Sequence, residues 1–151
     1  MKKITSTIFL VMFVFLISAC QQESKTATET EVPVTADTID WSKTGPDAKE
    51  NHITFEQVVQ DVENGAVFYD VRSEEEFTKQ NFGLTTNFPI TELEAGYLPD
   101  LPKNQKIYVH CQLGIRSAAA TKILRDAGFT AVYDLGGLAQ VEAIGGLLSS
   151  P

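Results

Sequence analysis

The residues with the most chemical reach lie in one stretch, Lys106-Ile107-Tyr108-Val109-His110-Cys111-Gln112-Leu113-Gly114-Ile115-Arg116-Ser117. Ile107, Tyr108 and Val109 read as a buried strand that ends at Cys111. Ser117 to Leu124 reads as a helix, with Ser117 or a neighbour near its N-cap. Cys111 then falls on a tight loop between the C-terminal end of a strand and the N-terminus of a helix. The unpaired N–H groups and partial positive charge of a first helical turn favour a thiolate over a thiol. Gly114 can take a positive φ, which lets successive N–H groups converge on an anion. Arg116 adds a planar, permanently charged fork of donors. In open α/β sheets such sites lie at the carboxyl ends of the strands. The implied chemistry is nucleophilic attack by a cysteine.

Neighbouring polar residues have plainer readings. His110 could serve as a base for Cys111, but adjacent strand residues point to opposite faces, so a packed strand-end histidine is expected. His52 is far upstream, and two separated histidines with one cysteine give no metal-ligand spacing, so no metal is expected. Arg72, two residues after Asp70, is expected in a structural ion pair with Asp70 or Glu76 behind the site rather than facing a substrate. The run Glu74-Glu75-Glu76 reads as a solvated helix start.

The elements that must position Cys111 alternate between helix and strand. Thr54-Phe55-Glu56-Gln57 has capping-box spacing and opens a helix that Asn64-Gly65 ends. Ala66 to Val71 is a continuous apolar run, hence a buried strand. Ser73 to Glu76 is a second capping box. Asn87 to Ile90 reads as a short strand and Thr91 to Glu94 as a helix start; Leu98 to Asn104 is loop. After the strand to Cys111, a helix carries Ala120, Ile123, Leu124 and Ala127 on one stripe and closes at Gly128. Ala131 to Leu135 is a last strand, and Gly136-Gly137 turns into a short helix over Leu138 to Ile144. The alternation implies an α/β fold, a central parallel sheet with helices on both faces.

Cys111-Gln112-Leu113-Gly114-Ile115-Arg116 resembles the six-residue active-site loop of rhodanese-like sulfurtransferases. Cysteine-based phosphatases carry a longer Cys-x5-Arg loop, whereas this chain has Cys-x4-Arg, a smaller nest that suits one extra sulfur atom better than a phosphate. The resemblance spans about residues 52 to 146: Asp70-Val71-Arg72 with Glu75-Glu76-Phe77, Asn87-Phe88-Pro89-Ile90, the helix from Ser117 to Gly128, and Gly136-Gly137. Asn81-Phe82-Gly83-Leu84-Thr85 replaces the family's His-Ile-Pro-Gly-Ala run, and Val141 stands where a tryptophan is usual. The resemblance implies a sulfurtransferase in which Cys111 becomes a persulfide held by Gln112, Leu113, Gly114, Ile115 and Arg116, without a cofactor. Neutral Gln112 and Leu113, where thiosulfate-preferring relatives often carry basic residues, imply modest turnover of thiosulfate and better turnover of less charged persulfides. Cyanide or a thiol would be the acceptor, and the protein is expected to act as a monomer.

The N-terminus reads as an address. Lys2-Lys3 precede an apolar run from Ile8 to Ile17, too short for an ordinary membrane span. Leu16-Ile17-Ser18-Ala19-Cys20 resembles a bacterial lipobox. Residues 1–19 are thus expected to be a lipoprotein signal peptide, 20–50 a lipid-attached flexible linker rich in Gln, Glu, Thr and Ser, and 51–148 the rhodanese-like domain. Cys20 would carry the lipid and fix the protein to the extracytoplasmic side of a bacterial membrane, facing periplasm or cell surface. Of the 2 cysteines, Cys111 would remain as a lone thiol with no internal disulfide. Loss of Lys2 and Lys3 takes the net charge from −8 to −10, which argues against nucleic acid as a partner and confines any role of Arg116 to its own surroundings. Other classes compatible with the residues are a non-catalytic rhodanese-like binding module and an envelope thiol-redox partner that borrows a second thiol; loop length disfavours a phosphatase.

Overall fold

The structure is a computed structural model that describes residues 34–150. The expected signal peptide, the lipobox, Cys20 and the first part of the linker lie outside the described residues.

Four parallel strands form one sheet in the order β2-β1-β3-β4: β1 (Val67–Asp70), β2 (Thr86–Asn87), β3 (Lys106–Cys111) and β4 (Ala131–Gly137). Helices cover both faces. On one face Phe68, Tyr108 and Leu135 pack with Ala48 of α1 (Pro46–Asn51), Val58 of α2 (Phe55–Glu63) and Val141 of α6 (Leu138–Ala143). On the other, Tyr69, Ile107, Val109 and Cys111 pack with Leu93 of α4 (Ile90–Glu94) and with Ala120 and Leu124 of α5 (Ile115–Asp126). Burial on both sides is why β1 and β3 are apolar almost without interruption.

The caps follow the local sequence. Thr54 accepts a hydrogen bond from the Gln57 amide and starts α2. Ser73 and Glu76 make a reciprocal capping box at the start of α3 (Glu74–Lys79). Four expectations shift. β2 ends at Asn87 and α4 begins at Ile90, because Pro89 has no N–H for a ladder and sits at the N-cap; the Asn87 side chain instead donates to the carbonyls of Asp70 and Arg72. β4 runs through the double glycine, since Gly137 still pairs with Cys111. The N-cap of α5 is Gly114, at φ +93°, and Ser117 lies inside the helix.

The fourth shift concerns the expected linker. Residues 36–50 include two 3-10 turns, Ala36–Thr38 and Trp41–Lys43, and α1; the second turn and α1 pack on the domain, while Ala36–Thr38 is exposed. Ala48 is fully buried and Ile39 nearly so. Trp41 packs edge-on against His52, with centroids 4.8 Å apart. A Cβ on Gly45 would stand 2.2 Å from the Leu135 carbonyl oxygen, so only glycine permits this approach. Asp47 Oδ2 accepts from the Asp134 amide at 2.6 Å and from Arg125 at 2.8 Å, tying α1 to β4 and α5. These anchors are scattered single residues, which is why no periodicity announces them.

The departure at Asn81–Thr85 is also accommodated. Asn81 Oδ1 accepts from the Gly83 amide at 2.7 Å, and Gly83 turns at φ +75°. Phe82 is buried against Phe68 and His110. Val141 is fully buried in the same cluster.

Candidate active site

β3 delivers Cys111 to the carboxyl edge of the sheet, where its side chain is 1% exposed. The left-handed turn at Gly114 aims its amide back at the cysteine, and Gly114 N donates to Sγ at 3.1 Å. The first amides of α5 have no acceptor within the helix, and Gly114, whose amide meets the sulfur, is the N-cap of that helix.

Three contacts with the end of β4 and the first residue of α6 fix the loop. The Leu138 amide donates to the Gln112 carbonyl at 3.3 Å, and Leu113 forms an antiparallel bridge with Gly137. Ser117 Oγ donates to the carbonyls of Gly114 at 3.0 Å and Gly136 at 3.2 Å, and its residue is completely buried. β4 carries a register irregularity opposite Val109 and His110, and Gly136 takes φ +84° there. Such bulges re-aim a strand beside a site. A Cβ on Gly137 would lie 2.7 Å from the Gln112 carbonyl oxygen and 2.9 Å from Leu113 Cα. The double glycine was legible as a turn; its part in seating the cysteine loop, like that of Ser117, was not.

Two ion pairs flank the loop. Arg72 and Asp70 are both essentially unexposed. Arg72 Nη2 donates to Asp70 Oδ2 at 2.6 Å and Nε to Oδ1 at 3.0 Å, while Nη1 reaches Gln112 Oε1 at 3.3 Å. Of the two partners expected for Arg72, the structure selects Asp70. Glu76 pairs instead with Arg116, through Nη1–Oε2 at 2.7 Å and Nη2–Oε1 at 2.8 Å. This pairing holds the Glu76 carboxyl at about 2, chiefly through the Arg116 hydrogen bonds. It also corrects one expectation: Glu76 is not merely a solvated helix-start residue, and the charge that Arg116 adds beside the loop is paired with it. The capping box with Ser73 turns the Glu76 side chain toward α5.

A rhodanese-like domain profile matches residues 54–143. The chain belongs to the rhodanese-like domain family. It is 32% identical over 73 residues to "Thiosulfate sulfurtransferase PspE" of Escherichia coli, covering 48% of this chain and 70% of that protein. It is 30% identical over 93 residues to "Adenylyltransferase and sulfurtransferase uba4" of Ogataea parapolymorpha, covering 61% of this chain and 23% of that one. The chain thus spans only about a fifth of the length of the adenylyltransferase relatives it matches. The crystal structure of the Alr3790 protein from Anabaena superposes with a TM-score of 0.52 at 28% identity, over 62% of this chain and 88% of that one.

Within this rhodanese-like domain the His110 ring is no partner for the Cys111 sulfur. Its ring lies on the face opposite Cys111, with centroids 5.0 Å from Phe68 and 5.1 Å from Phe82. Burial lowers its pKa to about 4, outweighing the opposing pull of Asp70, 3.5 Å away, whose charge is already committed to Arg72. Nε2 has no hydrogen-bond partner. A cleft of about 250 Å³ opens over the cysteine, lined by Cys111, Gln112, Leu113, Ile115 and Arg116. Among the described residues no group of three or more His, Cys, Asp or Glu is placed to hold a metal ion. The arrangement presents one sulfur atom, an amide already aimed at it, and a rigid frame that costs no rearrangement when negative charge develops there.

Proposed function

We propose that the protein is a sulfurtransferase that carries a sulfane sulfur as a persulfide on Cys111. The observation that carries this reading is the Gly114 N–H at 3.1 Å from Sγ, at the start of α5. In the first half-reaction the Cys111 thiolate attacks the outer sulfur of a donor. With thiosulfate, the donor S–S bond breaks, sulfite leaves with the electron pair, and Cys111 holds a persulfide anion. In the second half, cyanide or a thiolate attacks that outer sulfur and the Cys111 thiolate departs; cyanide leaves as thiocyanate. The loop amides stabilise the anion in both halves, and the covalent intermediate gives ping-pong kinetics. Two relatives whose names include sulfurtransferase support this reading. Mass spectrometry of the purified protein after donor treatment tests it. One added sulfur, about 32 Da, is expected on Cys111 and is removed by cyanide. An unmodified Cys111 after saturating donor would leave the family's fold without its chemistry.

A second reading, a non-catalytic binding module, draws on the near-complete burial of Cys111. Alkylation at neutral pH separates the two, since a sulfur carrier must react in the folded state. We also propose the extracytoplasmic, lipid-anchored placement through Cys20. Detergent-phase partitioning of the full chain expressed in bacteria, abolished by Cys20→Ser, is the expected result.

A further inference from the structure

The cleft over Cys111 contains a cation whose charge is already paired with a carboxylate. Among the residues that line it, Arg116 alone is basic, and both its terminal nitrogens are engaged by Glu76. The other guanidinium near the loop, Arg72, is 1% exposed and committed to Asp70, the Gln80 carbonyl and Gln112. Apart from Cys111 and the neutral Gln112 the walls are aliphatic: Leu113 and Ile115 both line the cleft, and each is 77% exposed. The chain as a whole is acidic, at −8, so no distant field offsets this deficit. A dianion entering the cleft therefore meets amide dipoles but no uncompensated positive side chain. A donor with one charge at its reacting sulfur and an apolar body meets two aliphatic walls.

We propose that Glu76 sets the charge selectivity of this site. By holding Arg116 it disfavours doubly charged donors such as thiosulfate and leaves the cleft to singly charged sulfane donors, persulfides or thiosulfonates, whose apolar group rests on Leu113 and Ile115. This rests on the sulfurtransferase reading and adds a residue that touches neither the sulfur nor the loop backbone. For a thiosulfonate the step balances as attack of the Cys111 thiolate on the outer sulfur, formation of the Cys111 S–S bond, cleavage of the donor S–S bond and departure of a sulfinate with the electron pair. With thiosulfate the same step releases sulfite; only the charge of donor and leaving group differs.

The test compares thiosulfate with benzenethiosulfonate on the full-length protein, by kcat/KM for thiocyanate formation from cyanide. Glu76→Gln keeps an oxygen for the Ser73 amide, so the α3 cap is retained while the charge is removed. The wild type is expected to prefer benzenethiosulfonate. Glu76→Gln is expected to raise kcat/KM for thiosulfate about tenfold, the scale of one charge-assisted contact, and to raise benzenethiosulfonate much less. The gain should shrink as salt is added. Leu113→Lys, which leaves α3 untouched, places an uncompensated cation at the mouth and is expected to favour thiosulfate in the same direction. An unchanged donor ratio in a folded Glu76→Gln protein overturns the assignment of Glu76; if that variant does not fold, an unchanged ratio in Leu113→Lys overturns it. If neither donor places sulfur on wild-type Cys111, the sulfurtransferase reading itself falls and takes this one with it.

Discussion

Gly137→Ala separates the seating of the cysteine loop from every other property of the site. Gly137 has φ −93° and ψ 176°, an extended conformation that alanine adopts without strain. The whole penalty is therefore steric. The new methyl would lie 2.7 Å from the Gln112 carbonyl oxygen, 2.9 Å from Leu113 Cα and 3.0 Å from the Leu113 carbonyl carbon, all backbone atoms with no side-chain rotation to relieve them. Comfortable contacts begin near 3.5 Å, so the loop must retreat by roughly 0.5–1 Å. Overpacking of this kind costs about 1–3 kcal/mol, which for a domain of this size lowers Tm by roughly 3–15 °C. The retreat would also stretch the Leu138–Gln112 bond, already 3.3 Å, and turn the Gly114 amide away from the sulfur. A misplacement approaching 1 Å at a reacting centre lowers a rate by about a hundredfold. Differential scanning fluorimetry gives the first number, and the rate of sulfur loading on Cys111, followed by mass spectrometry, gives the second. A Gly137→Ala protein that melts within 1 °C (~0.3 kcal/mol) of the wild type and loads sulfur at the native rate would refute the claim that β4 positions the loop.

Ser117→Ala removes a hydroxyl whose single proton is shared between the Gly114 and Gly136 carbonyls and is expected to cost about 1–3 kcal/mol in urea unfolding, with slower sulfur loading and an unchanged donor preference. Arg72→Met leaves the Asp70 carboxylate buried without its partner and is expected to lose about 3–5 kcal/mol; adding Asp70→Asn should recover part of that loss, and a double variant no more stable than the single one would contradict the pairing. His110 binds no proton in the folded state until pH falls to about 4, whereas the unfolded chain takes one up near 6.5. The unfolded state therefore binds more protons in that window, and stability falls as pH drops from about 6.5 toward 4, by about 2 kcal/mol between pH 7 and pH 5. An NMR titration showing the His110 imidazole protonated at pH 6 would remove the basis for this slope.

The strand, the glycine turn and the helix around Cys111 could be read directly, since each depends on neighbours within a few residues. The same holds for the Thr54 and Ser73 caps. Alternation of apolar runs with amphipathic ones implied the parallel layered sheet, because strands buried on both faces need helical crossovers. The family resemblance extended this to the reach of the domain. The charges were harder. Arg72, Arg116, Asp70 and Glu76 all stood in view, yet which carboxylate takes which guanidinium depends on elements forty residues apart. Asp70 lies at the buried end of β1 beside Arg72, and the α3 cap swings Glu76 toward α5.

Sequence by itself determined where Cys111 sits, its loop and the hand of the turn at Gly114, because these rest on local backbone preference and residue type. Tertiary structure alone decided that Arg116 is paired with Glu76, that Ser117 and Gly137 lock the loop to β4, and that residues 36–50 belong to the domain. Each of those depends on a close approach between distant segments, where a missing Cβ or one hydrogen bond selects the partner and leaves no periodic trace along the chain.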